Sequence, residues 1–340
     1  MGLLSWWSGR RRAADADDLR QAAQIVERIV RLSPQLRLAC DYEARLGPVA
    51  RDALRYLRGL VGQVPAAREA SAAAWAADPY IHAFFATPEE VSPVFSHSEA
   101  VRSCFYDHPE ATEVFAVLGM AVGERRTLGV ALHGTTTRTD VAQTTVSFSD
   151  HQVRVCAVSE AALREEIIVR AVDQLALEGL AAIEADTQRR ESLEHERALL
   201  KTRLKILERQ GTGVRSLLGS DASNSFAEVA RLQAQIDEND RALANLGLKT
   251  ESLERALEAV CGVLASAEKH VYVQARKFLL DRMNVVVNDG DARAAQEVEI
   301  RIAHLPATPN AIRAFSLVRF KRGDLLPARD MLKEAGRLLI

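Results

Sequence analysis

The sequence predicts a mainly helical α+β protein with a small antiparallel sheet and one long antiparallel coiled-coil hairpin. Three observations predict it: short amphipathic helices in the first third, alternating β-branched runs near the middle, and a sustained 3-4 apolar spacing further on. In chain order we expect an N-terminal helical domain at 15–124 and a β segment at 125–159. The hairpin follows at 160–283, inserted between the two halves of the sheet, and the chain ends with a β segment and a C-terminal helix at 284–340.

The composition is that of a folded, nearly neutral protein. Hydrophobic residues make up 48% of the chain, which excludes a disordered protein. Because 44 Lys and Arg nearly balance 46 Asp and Glu, the net charge of −2 gives no general attraction to nucleic acid, which we do not expect as a partner. The four scattered cysteines fit no disulfide framework, and reduced thiols in a bacterial-type cytoplasm are their simplest explanation.

Residues 1–14 are predicted to be either a flexible end or a segment that contacts a membrane surface. The apolar run precedes its basic residues, which is the reverse of a signal peptide. Indole and guanidinium groups suit the interface of an anionic bilayer, and here they are Trp6, Trp7, Arg10, Arg11 and Arg12. The predicted location is therefore cytoplasmic, with weak peripheral attachment to the inner face of the membrane. The alternative is a flexible end whose tryptophans have no role.

The helical domain at 15–124 is predicted from its helix-start signals. The first helix is expected to stop before Pro34, and Pro48, Pro79, Pro88 and Pro109 each stand where a first helical turn is expected to begin. Thr87 is expected to form a capping box with the glutamate three residues later. The aromatic residues of this region are expected to form its core. This region should therefore fold as short helices around an aromatic core.

One set of metal-ligating side chains stands out in this region. His97, Cys104 and His108 carry nitrogen and sulfur atoms that bind zinc, and the last two lie four apart on one helix face. Their spacing matches no standard zinc finger, and a fourth ligand would have to come from elsewhere. Ordinary surface and half-buried side chains are the alternative, so the expected cofactor is none, with zinc as a secondary hypothesis.

Two β segments are predicted on either side of the hairpin. Alternating runs at 128–133, 143–149 and 152–158 read as three short strands with turns at Gly134 and at 149–151. After the hairpin, 298–302 and 312–320 read as a further pair. Because strands flank both ends of the hairpin, we expect one sheet that both ends complete.

The coiled-coil hairpin is predicted from two matched apolar seams. The second arm carries a seam from Val229 to Val271 with Asn239 as a polar core member, and the first arm carries one in which Arg197 is the polar member. Residues 184–192 are almost entirely polar and should be the softest part of the first arm. Arms of similar length joined by a glycine-bounded loop favour pairing within one chain.

The loop between the arms, at 211–224, is the predicted partner-binding tip. Val214, Leu217 and Leu218 are apolar residues in a turn, where exposure is costly unless they contact a partner protein, another copy of the chain or a lipid surface. The preferred functional hypothesis is thus a non-enzymatic scaffold or adaptor. The alternative is a zinc-dependent enzyme or regulatory domain whose coiled coil serves oligomerisation, and the metal content of untagged protein would distinguish the two.

Overall fold

The computed structural model describes residues 3–133, 136–211, 222–246, 249–287, 294–305 and 313–327. It confirms a mixed α+β protein with an antiparallel, curled sheet. The chain divides into two compact units, Met1–Ala53 with Leu175–Ser266 and Leu54–Gln174 with Ala267–Ile340, which we term the helical unit and the sheet unit. Residues up to Ala53 group with 175–266, and residues from Leu54 group with the strands, while the predicted helical domain at 15–124 stays a prediction.

The helical unit begins with two amphipathic helices. Helix α1 spans Leu3–Leu32, and helix α2 spans Tyr42–Gly62 and enters the sheet unit at its end. A 3₁₀ turn at Pro34–Leu38 separates them, as the proline requires. The residues of α1 that repeat at helical spacing and face the core are Ala22, Ile25, Val26, Ile29 and Val30.

The start of α2 is fixed to helix α9, which spans Lys249–Ala265. The Cys40 amide donates to Glu254 Oε1 at 2.8 Å, and the Arg45 guanidinium donates to Glu254 Oε2 at 2.5 Å. These two donors, the Cys40 amide first, hold the pKa of the Glu254 carboxyl below its usual range. The glutamate thus joins the connection between α1 and α2 to α9.

The sheet unit is built on five strands. The long strands are β2, Glu113–His133, and β3, Thr136–Ala157. The others are β4, Tyr272–Leu280, β5, Gln296–His304, and β6, Arg313–Lys321. They lie in the order β3-β2-β6-β5-β4, with antiparallel neighbours throughout. A two-residue strand β1, Arg68–Glu69, pairs parallel to β6. The expectation of one sheet completed by segments on both sides of the hairpin is confirmed.

A short segment after β4 brings the two edges of this sheet together. The Val286 amide donates to Thr144 O at 2.8 Å, and the Val146 amide donates to Asn284 O at 2.9 Å. One residue further on, the Val287 amide donates to Leu279 O of β4 at 2.8 Å. Because the same segment bonds to β3 and to β4, both outer strands have part of their edge covered.

Two details of the predicted strands are corrected. The first β segment begins at Glu113, ahead of the expected 125, and the expected turn at 149–151 lies inside β3. The pairing shifts register between Ala121–Ser149 and Gly119–Gln152, and Asp150 has a φ of 48°, so the turn-forming residues make a β-bulge. The predicted turn at Gly134 and most of the predicted C-terminal helix lie outside the described residues.

Short helices cover one face of the sheet. They are α3, Ala72–Ala77, α4, Pro79–Phe84, α5, Val91–Ser96, and α6, Glu99–Asp107. The expected aromatic core is confirmed for Phe84, Phe85, Phe95 and Phe105, which are buried in one cluster with the inward side chains of the strands. It is wrong for Tyr106, whose side chain is 84% exposed. Phe95 stacks on Phe320 of β6 at a centroid distance of 4.9 Å.

The last carbonyls of α4 are satisfied by side chains from other elements. Asn284 Nδ2 donates to Ala83 O at 2.8 Å, and His151 Nε2 lies 2.7 Å from Phe84 O. The Trp75 indole donates to Phe85 O at 2.8 Å. A helix of six residues has few internal bonds, so these contacts fix α4 between β3 and the segment after β4.

The other face of the sheet carries the start of helix α7, which spans Glu160–Gly211. Leu163 packs with Val64 and Leu317. The Arg164 guanidinium donates to Val61 O at 2.6 Å, Val64 O at 2.9 Å and Pro65 O at 3.1 Å, and so caps the end of α2. Hydrogen bonds from a charged donor contribute about 1.5–3 kcal/mol each, so this one side chain is a main link between the two helices.

Candidate partner-binding surface

The first arm of the predicted hairpin, α7, shows the 3-4 seam in its burial. Leu193, Arg197, Leu200, Leu204 and Leu207 are half-buried, whereas the residues between them are exposed. A continuous helix of 52 residues is about 78 Å long at 1.5 Å per residue. The seam residues of α7 are therefore covered on one side only.

The second arm shows the same spacing, with deeper burial, in two helices. Helix α8 spans Ala222–Asn245, and α9 follows at Lys249–Ala265. The seam residues that are buried are Leu232, Ile236, Asn239, Leu257, Val260 and Leu264. The sequence predicted an unbroken second arm ending at 283. Instead, α8 ends at Asn245, α9 begins at Lys249, and Tyr272–Leu280 is a strand.

Contacts between the two arms run in opposite chain order. Arg203 pairs with Glu228 at 2.8 Å, and Arg197 Nε pairs with Asp240 Oδ1 at 2.7 Å. Further back along α7, Arg190 donates to Leu246 O at 2.9 Å. Exposed ion pairs contribute at most about 1 kcal/mol each to stability. Their use here is to identify which residues of the two arms face each other.

The closest approach between the arms lies at Gly179. A Cβ atom at this position would lie 2.7 Å from Val260 Cα and 3.0 Å from Val260 N. Both atoms belong to the α9 backbone and cannot move aside as a side-chain end could. Only glycine allows α7 and α9 to pack this closely.

The two polar seam residues lie at the same level. Arg197 pairs with Asp240, the residue that follows Asn239, and Asn239 is only 8% exposed. Its Nδ2 atom has no acceptor among the described residues, which costs about 1–3 kcal/mol. A polar position in a coiled-coil core fixes register at a cost in stability, and this layer meets that description.

The break in the second arm faces the polar stretch of the first. Leu246 O accepts from Arg190 at 2.9 Å and from Arg255 at 2.5 Å. Arg190 belongs to the stretch 184–192, which the sequence marked as the softest part of the first arm. The end of α8 thus lies beside the polar stretch of α7, which stays helical, and arginines satisfy a carbonyl where α8 ends.

Apolar side chains remain uncovered on the half of α7 that leads to the loop. Leu199 is 58% exposed and Ile206 is 51% exposed. They lie seven residues apart, so they share one face of the helix beside the seam. We term Leu199 and Ile206 the lateral pair. The pair was not predicted from sequence, although two large aliphatic residues at i and i+7 outside the seam indicate a shared apolar face.

The predicted tip residues Val214, Leu217 and Leu218 lie outside the described residues. Near the start of the chain, Trp6, Trp7, Arg10, Arg11 and Arg12 belong to helix α1, so the backbone at 3–14 is helical. Membrane contact of this segment stays a prediction. No helix among the described residues is long and apolar enough to cross a membrane.

The three candidate zinc ligands are not gathered into a site within the described residues. His97 and His108 are exposed caps at the ends of α5 and α6, and Cys104 is half-buried against the sheet. Throughout the described ranges, no group of three or more His, Cys, Asp or Glu side chains could hold a metal ion. The zinc hypothesis stays a prediction.

Comparison with known proteins gave no relatives. No family model, no curated protein and no solved structure matches this chain. The function is therefore inferred from the exposed apolar surface of α7.

Proposed function

We propose that the protein is a non-enzymatic scaffold or adaptor that binds a partner protein through an antiparallel coiled-coil hairpin formed by α7 with α8 and α9. The observation that carries the proposal is the lateral pair, because Leu199 and Ile206 expose aliphatic surface beside a seam that already has its own partner helix. Exposed aliphatic side chains that share one helix face are candidate contacts for a partner helix.

The proposed partner presents a helix to this surface. Residues seven apart on one face match the spacing with which a further helix packs against a two-stranded coiled coil. The half-buried state of Leu193, Leu200 and Leu204 supports this, since a third helix would cover what α8 leaves open. Val214, Leu217 and Leu218 would extend the same apolar surface into the loop.

Removing the apolar surface should abolish partner binding without unfolding the protein. We expect the double variants Leu199→Ser with Ile206→Ser, and Leu217→Ser with Leu218→Ser, to keep the melting temperature within a few degrees of the parent, because exposed substitutions change stability by about 0.5 kcal/mol or less. Affinity capture from the native cell, followed by binding measurements with the purified partner, should show at least a tenfold loss.

The matched control is Leu19→Ser, because Leu19 of α1 is 58% exposed, as is Leu199. A partner that is retained by this control and lost by both double variants supports the proposal. Equal capture by all four proteins, or a large loss of stability in either double variant, contradicts it.

We also propose that α1 attaches the protein weakly to anionic membranes. Trp6 and Trp7 would insert at the interface, and Arg10, Arg11 and Arg12 would each add about 1 kcal/mol near the charged surface at low salt. Vesicle sedimentation should show salt-sensitive binding of the full chain that is lost from a chain starting at Ala13. Equal sedimentation of the two chains would contradict membrane attachment by residues 1–12.

A further inference from the structure

Two cysteines, 52 positions apart in sequence, come together where α6 covers β3. Cys156 lies on β3 opposite Ala116 of β2 and packs against the buried cluster beneath the short helices. Its neighbours Val155 and Ala157 pack on the other face of the sheet, as strand alternation requires. The thiol of Cys156 therefore points toward α6.

Cys104 meets it from the helix. Val101 and Phe105 of α6 are buried, and Cys104 stands between them on the same half of the helix and packs on the same cluster. The Cys104 thiol lies close enough to the Cys156 thiol to raise its pKa. At the start of α6, Ser98 Oγ donates to Val153 O at 2.7 Å, which fixes the helix on β3 three residues before Cys156.

The surroundings of the pair keep it reduced under mild conditions. Burial, and after it the neighbouring Cys104, raises the pKa of the Cys156 thiol. A thiol of raised pKa forms little thiolate near neutral pH and reacts slowly with oxidants. Cys156 is therefore not the thiol that meets the oxidant first, and its attack in a later step should be faster at higher pH.

We propose that Cys104 and Cys156 are a redox-modification site whose oxidant is a peroxide and whose product is a disulfide that fastens α6 to β3. The Cys104 thiolate attacks the peroxide, its sulfur becomes a sulfenic acid, and hydrogen peroxide leaves as hydroxide, which takes up a proton to give water. The Cys156 sulfur then attacks the Cys104 sulfur, and a second water leaves. Two electrons pass from the two sulfurs to one peroxide, and the two thiol protons end in the two waters.

The test is oxidation of the folded full chain with hydrogen peroxide, followed by alkylation of free thiols and unreduced tryptic mapping. We expect a linked peptide that joins 103–125 to 155–164 at the sum of their masses less two hydrogens, and we expect it to form faster at pH 8.5 than at pH 7. The melting temperature should rise with the fraction linked and should return on reduction. Cys40, which is exposed, serves as an internal control that the peroxide has reached the protein.

The single variants separate a disulfide from general oxidation. In Cys156→Ala, Cys104 should stop at a sulfenic acid that a dimedone probe traps, and in Cys104→Ala, Cys156 should stay reduced. The proposal is overturned if Cys40 is oxidised while no link between Cys104 and Cys156 forms in the folded parent chain. It is also overturned if the link forms only when the protein is first unfolded.

Discussion

Alanine at position 179 is expected to destabilise the helical unit by up to about 2 kcal/mol, although alanine is the better helix former. The added methyl would lie 2.7 Å from Val260 Cα, so α7 and α9 would have to move apart. Overpacking of this kind costs about 1–3 kcal/mol or more, and it outweighs the gain of about 1 kcal/mol in helix propensity. Urea unfolding of the full chain, followed by circular dichroism, measures the change.

Gly262 provides the matched control, because it lies in α9 and a Cβ there would have no atom within 4 Å. Gly262→Ala should therefore stabilise the protein by up to about 1 kcal/mol through helix propensity alone. The two glycine-to-alanine changes are expected to have opposite signs. If Gly179→Ala also stabilised the protein, the close approach of α7 and α9 would be refuted.

The apolar period of the second arm was readable from sequence because it repeats over many turns. Leu232, Ile236, Leu257, Val260 and Leu264 are buried at the spacing that the sequence indicated. The end of α8 at Asn245 was harder to predict, because a single glycine in the sequence is tolerated within a helix when packing compensates for it. Arg190 of α7 and Arg255 of α9 donate to Leu246 O, just past this end.

The sequence predicted that the sheet is antiparallel, but it did not predict where the strands begin and end. Residues 149–151 carry the composition of a turn, and the same composition fits a bulge with a positive φ at Asp150. Sequence alone does not decide between them, since the choice depends on pairing with β2. The early start of β2 at Glu113 was missed for a similar reason, because its pairing with Lys321 joins residues more than 200 positions apart.

The split of the N-terminal helices between two units was beyond the sequence pattern. Helix α2 is one amphipathic stripe from Tyr42 to Gly62, and nothing in its spacing marks a change of unit near Ala53. The anchoring contacts are single polar side chains. Glu254 and Arg164 select the partners of α2 through hydrogen bonds to backbone groups, which carry no sequence signature.

Helix α7 is proposed to pair with α8 and α9 within one chain. The ion pairs at Arg203–Glu228 and Arg197–Asp240 place Leu204 level with Leu232 in an antiparallel pair. Leu204→Cys with Leu232→Cys, in a background in which the four native cysteines are alanine, should therefore form a disulfide. The control pair is Leu204→Cys with Leu257→Cys, which an antiparallel pairing would place about 37 Å apart along the helix axis at 1.5 Å per residue.

The most direct measurement is this crosslink in an equal mixture of ¹⁴N and ¹⁵N chains, read by mass spectrometry of the linked peptides. Pairing within one chain predicts near-complete linkage of 204 to 232 with both peptides carrying the same isotope, and no linkage of 204 to 257. Linked peptides of mixed isotope, or linkage of 204 to 257 at a comparable rate, would contradict the hairpin.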